Sequence, residues 1–116
     1  MGGLVFAAGL ALGHHSTASY DLVHGTIIQG VVTHFQWENP HVHLSVEVNG
    51  ENEEVEHWSV ELESPGTLHR YGWTKETLKP GDHLSVVGGR AKNGSFSLRA
   101  SYIVLPDGRR LPGLAE

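Results

Sequence analysis

The chain has 116 residues, enough for one domain around a single modest core and too few for a second. Eight Lys and Arg against 13 Asp and Glu give a formal charge of −5, without the basic stripe that nucleic-acid binding needs. The absence of cysteine removes disulfides and thiolate ligands, so the nine histidines, the carboxylates and the backbone are the donors left for a metal.

Residues 4–12, LVFAAGLAL, form an uncharged run of signal-peptide length, far short of the roughly 20 residues of a membrane span. Ala11 and Gly13 stand at −3 and −1 of a cut before His14. The expectation is therefore a signal peptide over residues 1–13, a mature domain over 14–116 with no membrane span, and a periplasmic or secreted location. The opening Met-Gly-Gly lacks the basic residues usual before such a run. Cleavage would give His14 a free α-amino group beside its imidazole, next to His15.

From Gly25 onward the pattern has period two. Residues 25–37 predict a long first strand with a bulge or bend at Gly30, broken by Pro40. In residues 41–48 the inward set is Val42, Leu44, Val46 and Val48, and the outward set is His41, His43, Ser45 and Glu47. Residues 55–63 return with Trp58, Val60 and Leu62 inward and His57, Ser59, Glu61 and Glu63 outward. Matching the two inward faces sets His43 against Glu61, His41 against Glu63 and Glu47 against His57.

Ser64, Pro65 and Gly72 then read as the cap, first position and stop of a helix of two turns at most. Strands at 83–91 and 95–105 follow around an Asn-Gly turn, and residues 106–113 read as a turn with a short tail. The fold class is all-β: a small five-stranded barrel like the oligonucleotide/oligosaccharide-binding (OB) fold, with one short helix between strands three and four.

Nucleophile elbows, Gly-rich phosphate loops and a Walker lysine are all missing, so a binding or handling module is expected rather than an enzyme. A carboxylate pair at Glu61 and Glu63 is a weaker alternative. His41 and His43, at i and i+2 on one face, can point at a single ion, with Glu61 as an oxygen ligand or as the acceptor that orients an imidazole. His14 and His15 would add ring, amide and amino nitrogens, a set that suits copper, with zinc as the alternative. His24, His34, His69 and His83 read as solvated, and Trp37, Trp58 and Trp73 as packing residues.

Seven ordered pieces, GHHS, WENPH, WSVE, SPGTLHRYGWT, LKPGD, GRAKNGS and LPDGR, resemble a family of small exported bacterial proteins of unknown function, numbered 6152 among such domains. The resemblance spans about residues 14–111. It implies export and marks His14, His15, Ser16, Trp37, Asn39, Pro40, His41, Trp58 and Glu61 as motif positions, while His43 falls at a more variable one. It implies no activity. The rival reading is a metal-free module that grips a small ligand or an envelope protein through an exposed aromatic surface including Trp37 and Trp73.

Overall fold

The computed structural model describes residues 17–114. The chain is mostly β. Its strands are β1 (Tyr20–Gln36), β2 (His43–Asn49), β3 (Val55–Glu61), β4 (His83–Ala91), β5 (Ser97–Val104) and β6 (Arg110–Pro112), with helix α1 (Pro65–Arg70) between β3 and β4. No helix among the described residues is long and apolar enough to cross a membrane.

Strand order is β3-β2-β1-β4-β5-β6, and β3 also hydrogen-bonds to β5. Neighbours along that order run antiparallel, whereas the β3–β5 pairing is parallel. The β2–β3 register is the one the alternation requires: His43 faces Glu61 and Glu47 faces His57. A slip of one residue would have turned Leu44, Val46, Trp58 and Val60 out to water. All four are buried, with Val42, Leu62, Val86, Leu98 and Ile103. Burying each Val or Leu contributes about 1.5–3 kcal/mol, so the inward rows of β2 and β3 fix the register by a wide margin.

Helix α1 follows its local signals closely. Ser64 Oγ accepts from the Thr67 N–H at 3.3 Å and Pro65 occupies the first turn. At the other end Gly72 N–H donates to His69 O and Trp73 N–H to Leu68 O, the paired bonds of a Schellman stop. The stop turns Trp73 into the core, where it is fully buried and donates Nε1–H to Pro112 O at 2.9 Å.

Three expectations need correction. The first strand starts at Tyr20 rather than Gly25, because Tyr20 and Asp21 pair with Ala91 and Arg90 ahead of a bulge that expels Leu22, Val23 and His24. Gly30 carries no bulge, since the register shifts instead between Val32 and His34, but it stands next to Val31, where β1 passes from pairing with β4 to pairing with β2. Gly30 serves a close crossing, since a Cβ there would stand 2.1 Å from Glu47 O. The tail contains a sixth strand, β6, paired to β5 at Tyr102, Ile103 and Val104.

Candidate functional site

One cross-strand row on the outer face collects the polar groups. Gln36 of β1 pairs with His43 of β2, His43 with Glu61 of β3, Glu61 with Arg99 of β5, and Arg99 with Gly89 of β4. Alternation alone makes this row wet, but its centre is dry: Glu61 is 3% exposed and Arg99 4%. The expectation that Glu61 is an outward, solvated carboxylate is therefore corrected.

Glu61 is buried because Arg99 compensates it. The guanidinium donates to Glu61 Oε2 at 2.7 Å, to Leu62 O at 3.0 Å and to Glu63 Oε2 at 3.1 Å. Arg99 Nε has no hydrogen-bond partner among the described residues. The second oxygen of Glu61 faces His43, with Oε1 and Nε2 3.7 Å apart. That is too long for a hydrogen bond and short enough for the carboxylate to act on the imidazole by charge. Since one Glu61 oxygen is held by Arg99, the geometry favours Glu61 as a group standing behind His43 over Glu61 as a metal ligand.

Tyr20, 8% exposed, belongs to the same surroundings. Its phenol is pushed up from its ordinary value, first by burial and then by the Glu61 charge, with Arg99 pulling the other way. Tyr20 is also the point at which the chain enters the sheet: Ser19 O accepts from Lys92 N–H at 2.9 Å and Tyr20 pairs with Ala91. His14 and His15 lie outside the described residues. Four residues lie between His15 and Tyr20, and three of them, Thr17–Ser19, form a 3-10 turn.

The other histidines are distributed unevenly. His41 is half-buried in the connection before β2, and its side chain makes no hydrogen bond or ion pair among the described residues. His34 and His57 line a groove of about 290 Å³ on the outer face of β1–β3, together with Thr33, Ser45 and Ser59. His57 Nδ1 lies 3.7 Å from Glu47 Oε2. No group of three or more His, Asp or Glu positioned to hold a metal occurs among the described residues. Of the five residues singled out in sequence, the structure thus brings together His43 and Glu61.

Sequence reasoning missed Arg99 and the Asp21–His24 pair. Arg99 was findable, as the one cation of β5 at an outward position, in the strand that an OB-like order lays beside β3. Asp21–His24 carries only the weaker signal of a carboxylate three residues before an imidazole. Of the two aromatic residues named in the rival reading, Trp73 is fully buried, whereas Trp37 is half-buried and packs edge-on against Phe35 at a centroid distance of 5.9 Å.

The model of the Family of unknown function (DUF6152) matches residues 3–98. No curated protein matches the chain.

Proposed function

We propose that this chain, which belongs to the family of unknown function whose model it matches, is an exported OB-like barrel that binds one transition-metal ion, copper favoured over zinc. The barrel reading draws on the β3–β5 pairing, which joins two strands that lie apart in the sheet order. In this reading His14, His15 and His43 are the ligands, His41 flanks them, and Glu61 stands behind His43.

A single relationship carries the proposal. The Glu61 carboxylate lies 3.7 Å from His43 Nε2, and its charge is also one of the two causes that raise the phenol of Tyr20, the residue at which the chain following His14 and His15 enters the sheet. Only four residues lie between His15 and Tyr20, and a short tether keeps the entropy of closing such a site small. Imidazole and amine nitrogens in a chain of net negative charge form a donor set in keeping with Cu(II) and its tetragonal preference.

The test is calorimetric titration of Cu(II), without an affinity tag, into the chain beginning at His14 and into the full chain. The reading expects about one tight site, weakened by His14→Ala and by His43→Ala. Unchanged affinity and stoichiometry in both variants would remove it.

A further inference from the structure

A groove of about 690 Å³ opens on the outer side of the sheet, and neither His43 nor Glu61 lines it. Strand pairing builds it. Val31 of β1 faces His83 of β4 on one side and Glu47 of β2 on the other. One row on, Gln29 faces Ser85, and Ser85 faces Val104 of β5. Because side chains alternate along a strand, these residues share the face opposite the core residues Ile28, Val32, Val46, Val86 and Ile103. The β1–β2 pairing ends at Val31 and Glu47, and beyond it Asn49, paired with Val55 of β3, walls the groove from the hairpin tip.

The walls divide by chemistry. Val31, Val55, Val104 and Pro106 supply an apolar side, and Val55 is 51% exposed, so a ligand body lying there would remove apolar surface from water. Gln29, Glu47, Asn49 and Ser85 supply polar side chains that make no hydrogen bond among the described residues. Glu47 Oε2 stands 3.7 Å from His57 Nδ1, longer than a hydrogen bond, so both its oxygens are open to another donor. Glu47 is the one carboxylate of the lining, and no lysine or arginine stands there to neutralise it. In a chain of net charge −5 such a groove repels anions and attracts cations. An ammonium group carries three donors and no acceptor, which matches a carboxylate flanked by the amide oxygens of Gln29 and Asn49 and the hydroxyl of Ser85. Volumes of about 300–1,000 Å³ with apolar walls and a few polar groups are those of small-molecule sites.

We infer that this groove is a binding site for a small primary amine with an apolar body, its ammonium on Glu47 and its carbon chain against Val31, Val55 and Val104. Gln29 and Asn49 accept the remaining ammonium protons. The site uses none of the ligands of the metal reading and stands or falls independently of it. A neutral ligand of the same shape lacks the charge that Glu47 selects, and an anionic one is repelled.

The test is two-dimensional amide NMR of the full chain titrated at neutral pH with hexylamine hydrochloride, hexanol and sodium hexanoate. Hexylamine should shift the backbone amides of Val31, Glu47, Ser85 and Val104 saturably, hexanol should bind there more weakly, and hexanoate should leave them unmoved. Glu47→Gln should weaken hexylamine binding by about 3- to 10-fold, the size of a partly exposed charge-assisted hydrogen bond. Gln29→Lys, a change at an exposed position, should abolish hexylamine binding and admit hexanoate. The inference is overturned if hexylamine gives no saturable shift at these amides, if hexanol binds as tightly as hexylamine, or if both variants bind hexylamine like the wild type.

Discussion

Glu61 and Arg99 are joined twice, once as backbone neighbours in the parallel β3–β5 pairing and once through a 2.7 Å ion pair between buried side chains. The second bond holds the carboxylate opposite His43; the first holds together two strands that lie far apart in sheet order. Stability and site geometry therefore depend on one pair.

Arg99→Met should leave Glu61 as an uncompensated buried carboxylate and cost about 3–5 kcal/mol. The double change Glu61→Met with Arg99→Met should recover much of that loss, because no charge is then left buried alone. Urea unfolding of the two single variants and the double variant measures the coupling. Equal losses for the double variant and the sum of the singles would show that the pair acts independently.

Tyr20 reports the same pair electrostatically. Arg99 lowers its phenol pKa against the raising effects of burial and Glu61, so Arg99→Met should push it still higher. Because the folded value already lies above the unfolded one, this contribution to stability is complete below about pH 10 and is lost as pH rises through the folded value. Alkaline ultraviolet titration, with Tyr20→Phe for assignment, measures the shift.

Asp82 tests the acid side. Its carboxyl is held below the ordinary range, chiefly by the Lys79 ammonium at 2.9 Å and then by the Lys79 N–H at 3.1 Å. A depressed folded value means that the stabilisation is present above about pH 4 and is lost as pH falls through the lowered value. Asp82→Asn should therefore lower the unfolding midpoint at pH 7 and have little effect near pH 2.

Two glycines should respond oppositely to alanine. At Gly30 a Cβ would meet Glu47 O at 2.1 Å, and because the obstacle is backbone, Gly30→Ala should be strongly destabilising. Gly66, in the first turn of α1, has nothing within 4 Å, and Gly66→Ala should stabilise by up to about 1 kcal/mol through helix propensity. Thermal melts of both variants separate the two cases.

The parts of the fold set by short-range chemistry were legible in the chain. Ser64 and Pro65 announce α1, and the alternation in β2 and β3 by itself sets His43 against Glu61. What escaped depends on pairing across long sequence separations. Period two assigns Glu61 to water; only the return of β5 beside β3 brings Arg99, 38 residues later, to cover it. Likewise Tyr20 and Asp21 carry too little periodicity to extend β1, and their place is fixed by Ala91 and Arg90. Arg110, Leu111 and Pro112 form a strand too short to show any period, and Tyr102, Ile103 and Val104 determine where it lies.

The most direct test of the metal reading is frozen-solution EPR of the Cu(II) adduct at one equivalent, comparing the untagged wild type with His43→Ala. The account predicts a single copper species with nitrogen superhyperfine structure, and loss of one coupled nitrogen in the variant. A spectrum of aquated copper in the wild type, or identical spectra for the two proteins, would contradict it.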